Sequence, residues 1–256
     1  MSNAFVLNRP CLVCGETAVL LDVVDFNKSC EEQRGKFLPL SGVPIYYSLC
    51  RRCGFLFASE FAEWTLDDFR SKIYNTGYID VDPDYPDARP RVNARNVLKM
   101  FSDHGARIRH LDFGGGSGTL SKLLVENGWC SVSYDPFVDD SAWEAANIGR
   151  YDLITAFEVF EHVPEPRKLA TTLAQLLTSD GVVLFSTLTS DGHVAPNRRL
   201  TWWYASPRNG HISLFSKKSL AILAEKESFR FGSFSPGFHA FWKTVPPWAE
   251  HIIRVR

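Results

Sequence analysis

Residues 111–118 read Leu-Asp-Phe-Gly-Gly-Gly-Ser-Gly, and this run restricts the fold more than any other segment. Asp112, Gly114, Gly116 and Gly118 fall at every second position. A carboxylate followed by alternate glycines predicts a strand ending in a tight turn without side chains, where a nucleotide-like ligand can lie against bare backbone. Ile108 to Phe113 is short and mostly apolar, as a buried strand requires. Thr119 to Asn127 carries Leu120, Leu123 and Leu124 at helical spacing, and Gly128 stands where a helix C-terminal glycine belongs. The run therefore sits on a strand–turn–helix. Its spacing excludes two common nucleotide loops. The dinucleotide fingerprint needs glycines at relative positions 1, 3 and 6, and counting from Gly114 the last of these falls on Thr119. The phosphate loop ends in Gly-Lys-Ser/Thr, which is absent here.

Further segments extend the pattern. Ser131-Val-Ser-Tyr-Asp135-Pro136 alternates like a strand and ends in a carboxylate. Such a tip suits two ribose hydroxyls, each donating to one oxygen, although an aspartate before proline also serves a plain turn. Tyr151 to Phe157 is an apolar run that gives way to a polar cluster, Glu158-Val-Phe-Glu161-His162-Val-Pro164. Ligands of open α/β sheets bind at the carboxyl ends of strands, which draws attention to Glu158, Glu161 and His162. A helix follows over 167–177, a strand over 182–186, a helix opened by His211-Ile-Ser-Leu-Phe-Ser216 and running over 217–227, and a terminal antiparallel pair over 229–245. The order predicts an α/β, doubly wound, Rossmann-like sheet.

The Asp-x-Gly-x-Gly-x-Gly run, Asp135 and the Glu-His-Val segment together resemble class I S-adenosylmethionine-dependent methyltransferases over roughly residues 91–245. The resemblance implies that Gly114, Gly116 and Gly118 approach the amino-acid part of the cofactor, which Asp112 orients. It also implies that Asp135 binds the ribose and that Glu158 belongs to the cofactor site. One departure stands out. Only residues 136–150 separate Asp135 from Tyr151, which is room for one short helix or strand where the family fits helix, strand and helix. Trp143 and Ile148 are the residues there with a face for the adenine ring.

The amino-terminal region carries a second signal. Cys11-Leu-Val-Cys14-Gly15 is matched by Cys50-Arg-Arg-Cys53-Gly54. Two Cys-x-x-Cys knuckles, each followed by glycine, suit a tetrahedral metal site of zinc type. Two disulfides or a redox pair would use the same residues. The first residues lack a basic start and an apolar core, so a reducing, cytoplasmic setting is expected, and there paired thiols favour metal. Cys30 and Cys130 read as structural and core residues. Knuckles ahead of such a domain, with the Phe37–Cys50 lead-in, are similar to the zinc-binding region of bacterial sugar methyltransferases. The sugar C-methyltransferases run longer, and this chain stops at Arg256, so the resemblance supports the two-module plan better than it supports C-methylation.

The expected organisation is a zinc ribbon over 1–60, a linker or cap over 61–90 and a methyltransferase domain over 91–256. The stretch 80–90, with three prolines and four aspartates, reads as extended. An amphipathic helix follows over 91–103. With 45% apolar residues the chain can bury a sizeable core, and no apolar run nears the ~18 residues of a membrane span. Residues 1–90 hold nine Lys/Arg against thirteen Asp/Glu, a net of −4. A module that neutralises phosphates is basic, so the charge argues against a ribbon that delivers RNA.

Transfer from a sulfonium needs chiefly positioning, and a hydroxyl acceptor also gains from a general base. His162 with Glu161, and His211, are the candidate catalytic residues. Trp202, Trp203 and Tyr204, followed by Arg208 and Asn209, offer aromatic faces and polar groups for a sugar, a nucleotide sugar or another small polar acceptor. The expected activity is O-methylation, with C-methylation as the variant. A zinc-ribbon RNA methyltransferase and a non-catalytic adapter with a degenerate cofactor site are the competing readings.

Overall fold

Alternating and continuous apolar runs build two separate sheets in the computed structural model, which describes residues 8–102, 104–137, 139 and 142–253. In chain order the strands are β1 (Arg9–Pro10), β2 (Thr17–Asp25), β3 (Pro44–Cys50), β4 (Leu56–Ala58), β5 (Arg109–Phe113) and β6 (Cys130–Tyr134). They continue with β7 (Tyr151–Phe157), β8 (Leu177–Ser186), β9 (Ser213–Leu214), β10 (Arg230–Ser235) and β11 (Phe238–Trp242). The α-helices are α1 (Leu66–Lys72), α2 (Ala88–Met100), α3 (Thr119–Glu126), α4 (Ala142–Ala146), α5 (Pro166–Leu176) and α6 (Lys217–Lys226). The contacts divide the chain into two units. The first holds the described residues up to Asp82 together with Glu161–Arg167 and Leu188–Leu223; the second holds Pro83–Phe160, Lys168–Thr187 and the described residues from Ala224 onward.

The first unit is organised by an antiparallel sheet in the order β1-β2-β3-β4-β9. The hairpin of β2 and β3 pairs Ala18 with Cys50 and Asp25 with Pro44. It carries the second knuckle at the end of β3. Tyr47, Phe55, Phe57, Phe61 and Phe215 are fully buried around this sheet. Phe55 lies 4.9 Å from Phe215 and 5.3 Å from Phe57, ring centre to ring centre, within the range of favourable aromatic pairs. α1 starts on a capping box in which Thr65 and Asp68 satisfy each other's backbone amides. The segment 211–216 leads into α6 as expected, Ser216 Oγ accepting from Ser219 N–H at 3.0 Å, but it also supplies a strand that the sequence reading missed. Ser213 and Leu214 pair with Phe57 and Leu56 as an added strand, because the buried Leu214 and Phe215 are satisfied by the sheet and its aromatic core.

The second unit contains the predicted α/β sheet, in the order β10-β11-β8-β7-β5-β6. β6, β5, β7 and β8 run parallel, and β11 and β10 are antiparallel additions. Chain order reverses direction across the sheet between β5 and β7. Such a switch point is where open α/β sheets leave a crevice. The core beneath it includes Leu111 and Ile154 and the cluster of Val97, Phe101, Leu120, Leu124, Leu153, Val182, Leu184 and Ala240. No strand among the described residues pairs on the far side of β6, in line with the short 136–150 stretch, where α4 is the one helix described. β6 is therefore an edge, and Cys130 at its start is exposed, contrary to its reading as a core residue.

Two boundaries differ from expectation. The stretch 80–90 is not extended throughout: a 3-10 turn covers Thr76–Asp80 and α2 begins at Ala88, taking Pro90 into its first turn. Proline is tolerated there because the first amides of a helix have no partner within it. β8 starts at Leu177, where the chain passes directly from α5. No helix of the described residues is long and apolar enough to cross a membrane. Leu153 is fully buried at the centre of the second unit. Leu153→Ala is expected to lower the unfolding free energy by about 3 kcal/mol, read by urea titration. A loss well below ~1 kcal/mol would contradict this packing.

Candidate functional site

The turn after β5 is fixed by packing as well as by φ. A Cβ on Gly115 would stand 2.3 Å from Ser133 Oγ and 2.5 Å from Asp112 Oδ2, and one on Gly114 would stand 2.6 Å from Val159 Cγ2. Gly116 is different. Its φ is +54°, a region L side chains rarely adopt, and nothing lies within 4 Å of the position its Cβ would take. Three glycines are thus tied to neighbours (Gly118 more loosely, 3.4 Å from Ser133 Cβ), while Gly116 leaves open space beside bare backbone. The Gly116 amide donates to Asp135 Oδ2 at 2.9 Å, and Phe137 N–H donates to Asp135 Oδ1 at 2.8 Å. A carboxylate has about four acceptor sites, so Asp135 binds the turn and retains acceptor capacity for hydroxyls. The open backbone at Gly116 and the carboxylate beside it fit a ribose-bearing cofactor.

Behind the turn runs a buried chain of hydrogen bonds that sequence reasoning missed. Asp112, on β5, stands beside Thr155 on β7 and Ser133 on β6. Thr155 Oγ1 donates to Asp112 Oδ1 at 2.9 Å. Its proton being committed, Thr155 accepts from His110 Nε2 at 3.0 Å. His110 Nδ1 then accepts from Ser131 Oγ at 2.7 Å, and Ser131 is joined to Ser121 at 2.9 Å. The network assigns a single tautomer to His110. Burial depresses the imidazole to about 3, so the ring stays neutral. Burial raises the Asp112 carboxyl to about 7; the Thr155 bond opposes this and the charge of Asp135 adds to it. The sequence signal was a polar residue at every second position of β5 and β6, His110 and Asp112 beside Ser131 and Ser133, with Thr155 set in the apolar run of β7.

Glu158, at the end of β7, takes φ +55°. A left-handed non-glycine residue carries a cost of about 1–2 kcal/mol. Ser186, at the end of β8, offsets it from both sides: Glu158 N–H donates to Ser186 Oγ at 2.8 Å, and that hydroxyl donates to Glu158 Oε1 at 2.7 Å. The carboxylate is thereby held at the carboxyl end of the parallel strands.

The first unit brings Glu161, His162 and His211 together. One ligand-type atom from each lies within 4.8 Å of the others. The two rings meet edge to face with centroids 5.0 Å apart. Glu161 is fully buried and accepts from the Tyr204 hydroxyl at 2.5 Å. His162 Nδ1 is 3.0 Å from the Tyr74 hydroxyl. His211 Nδ1 lies 2.8 Å from the Tyr204 carbonyl. A carbonyl only accepts, so Nδ1 carries the proton and the neutral ring has its lone pair on Nε2. Tyr74 was not found from sequence, since an isolated tyrosine in a polar stretch carries no spacing signal.

The loop residues proposed for the acceptor are largely committed elsewhere. The Arg208 guanidinium donates to the Ile73 carbonyl and to Asn75 Oδ1. Asn209 accepts from Cys30 N–H and donates to the Val81 carbonyl. Trp202 is buried and stacks on His193, and its carbonyl accepts from Lys28 Nζ. These residues brace the loop. In the second unit Trp143 stacks on Tyr134 with centroids 4.5 Å apart, so that ring is already partnered, whereas Ile148 is exposed.

Cys11, Cys14, Cys50 and Cys53 converge as one cluster. Cys11 Sγ is 3.6 Å from Cys53 Sγ, and Cys14 Sγ is 3.5 Å from Cys50 Sγ. A disulfide needs about 2.05 Å; a tetrahedral zinc with bonds near 2.3 Å spaces its sulfurs by about 3.8 Å. The two knuckles repeat one geometry. Gly15 N–H donates to the Cys11 carbonyl at 2.9 Å and Gly54 N–H to the Cys50 carbonyl at 2.8 Å, both glycines at positive φ. The Cys53 thiol, donating to Cys11, pulls Cys11 down to about 5 and is itself pushed up. The donor set fits zinc.

A family profile described as a methyltransferase domain matches residues 85–230. The ubiquinone biosynthesis O-methyltransferase of Escherichia fergusonii is 36% identical over 97 residues, 38% of this chain and 40% of that protein. The chain thus spans about two fifths of the length of the curated relatives it matches. Among solved structures it is similar to an O-methyltransferase family protein from Burkholderia thailandensis, at 16% identity and a TM-score of 0.46, covering 63% of this chain and 58% of that one. It is also similar to the 1,6-didemethyltoxoflavin-N1-methyltransferase of that organism bound to S-adenosylhomocysteine, at 16% identity and a TM-score of 0.49, covering 74% and 96%.

Asp112 and His110 make opposite contributions to stability as pH changes. The folded state keeps the Asp112 proton up to about 7 while the unfolded chain loses it above 3.8, so this contribution is full at low pH and lost as pH rises through 7. Folded His110 refuses a proton down to about 3 while the unfolded chain accepts one below 6.5, so that contribution is lost as pH falls. Asp112→Asn removes the first and keeps the second. Its unfolding free energy should gain on the wild type between about pH 4.5 and pH 7, measured by urea titration at both. A pH-independent difference would contradict the buried acid.

Proposed function

We propose, from the premise that this chain belongs to the methyltransferase family, that it transfers the methyl group of S-adenosylmethionine to a hydroxyl of a sugar-like or other small polar acceptor. The chain is an S-adenosylmethionine-dependent methyltransferase, and the finer reading concerns its residues and acceptor. The backbone of Gly114, Gly116 and Gly118 lies along the amino-acid part of the cofactor. Asp112 holds that turn, Asp135 takes the ribose hydroxyls, and Glu158 belongs to the same cofactor site. The sulfonium supplies an already activated methyl group, so the protein's work is alignment and removal of the acceptor proton.

The observation that carries the acceptor reading is the His211 tautomer. With Nδ1–H given to the Tyr204 carbonyl at 2.8 Å, the Nε2 lone pair is the group that takes a hydroxyl proton. His162, across the ring pair and linked to Tyr74, and Glu161, linked to Tyr204, steady the imidazolium that forms. A polar, ionisable cluster supplies the base that O-methylation of a hydroxyl needs, and the same base would serve transfer to an acidic carbon. The acidic amino-terminal region supports a small acceptor over RNA. The sheet edge at β6 is what favours the adapter reading; a rise in melting temperature on adding S-adenosylmethionine would count against it, and no shift would count for it.

His211→Ala should lower kcat by about a hundredfold or more while leaving cofactor affinity within a factor of about two. An unchanged kcat would remove His211 from the chemistry. Radiolabel from S-adenosylmethionine should enter nucleotide sugars or other small hydroxylated compounds, whereas label entering transfer RNA would favour the RNA reading. The four cysteines hold a structural zinc. Protein purified without chelator should contain about one zinc per chain, and a content well below half would contradict that role.

A further inference from the structure

We propose that Glu161, His162 and His211 are also a binding site for a divalent transition-metal ion, distinct from the four-cysteine cluster, and that an ion held there stops methyl transfer. The second half rests on the assignment of His211 as base; the first does not. Two imidazoles and a carboxylate offer ligand atoms within 4.8 Å of one another. Around an ion with bonds of about 2 Å the same atoms stand about 3 Å apart. Closure therefore calls for side-chain shifts on the order of 1 Å or more.

Each prospective ligand is steadied by a second group in the way metal-binding side chains are. His211 Nδ1–H is given to the Tyr204 carbonyl at 2.8 Å, which directs metal binding to Nε2. His162 Nδ1 is held by the Tyr74 hydroxyl at 3.0 Å. Glu161 Oε1 is held by the Tyr204 hydroxyl at 2.5 Å. Glu161 has no exposure and His211 has 5%, so the charge of the ion and that of the carboxylate would offset each other out of water. The nitrogen-rich set selects zinc, cobalt or nickel over magnesium or calcium. A metal takes the same imidazole lone pair that a proton would, so ion and base function exclude each other.

The test uses full-length protein whose cysteine cluster is already filled with zinc, titrated with cobalt(II). The expected result is a further equivalent of cobalt per chain with visible ligand-field bands and no added thiolate charge-transfer absorption. His162→Asn and His211→Ala should each weaken that binding tenfold or more, while zinc content and circular dichroism stay unchanged. No further cobalt, or binding equal in wild type and in both variants, would overturn the site. In the wild type, cobalt should suppress methyl transfer without altering the affinity for S-adenosylhomocysteine. Cobalt bound with transfer unaffected would overturn the inhibitory half, and the base assignment with it, while the metal site would stand.

Discussion

The contact between the Gly116 amide and Asp135, 2.9 Å long, is the point on which the second unit's chemistry depends. It ties the ends of two neighbouring strands, β5 and β6, at the edge of the switch point. The turn it holds has no slack. Gly114 and Gly115 are pinned by Val159, Ser133 and Asp112, and Asp112 is pinned by Thr155. A turn without side chains has to be shaped by what surrounds it, and here three strands supply that surrounding. At Gly116, where nothing lies within 4 Å of the position a Cβ would take, a ligand can meet the backbone.

That constraint also explains why so much polar surface is buried beneath an apolar sheet. The chain Ser121, Ser131, His110, Thr155 and Asp112 satisfies each member with the next. A buried network of this kind is stable only when complete. It keeps His110 neutral and leaves Asp112 close to half-ionised at neutral pH. The turn is thus supported by hydrogen bonds whose direction is fixed by chemistry as well as by the side chains packed against it.

Much of the second unit was legible in the sequence because its signals are local. The glycine spacing at 114–118, the apolar runs of β5 and β7 and the leucines of α3 each report their own segment. The doubly wound class and the terminal antiparallel pair follow, and so does the shortened stretch after Asp135. What was not legible depends on distant partners. Ser213 and Leu214 read only as the entry to a helix; that helix follows, but they also complete a sheet with Leu56 and Phe57, more than 150 residues earlier. Arg208 and Asn209 read as free to meet an acceptor, yet they spend their hydrogen bonds on Ile73, Asn75, Cys30 and Val81. Tyr74 meets His162 across 88 positions. The cysteine knuckles were legible because ligand spacing within a knuckle is local, and only their convergence needed the fold.

The claim that the turn and Asp135 form the methyl-donor site is tested most directly by calorimetric titration of S-adenosylhomocysteine into wild-type protein, Gly116→Ala and Asp135→Ala. The account predicts saturable binding to the wild type and at least a tenfold loss in each variant, with both variants folded. An added methyl at Gly116 both strains a left-handed residue and occupies the open space, and removal of the Asp135 carboxylate frees the turn and deletes the proposed acceptor of the ribose hydroxyls. Folded wild type that takes up no ligand, or variants that bind as tightly as the wild type, would contradict it.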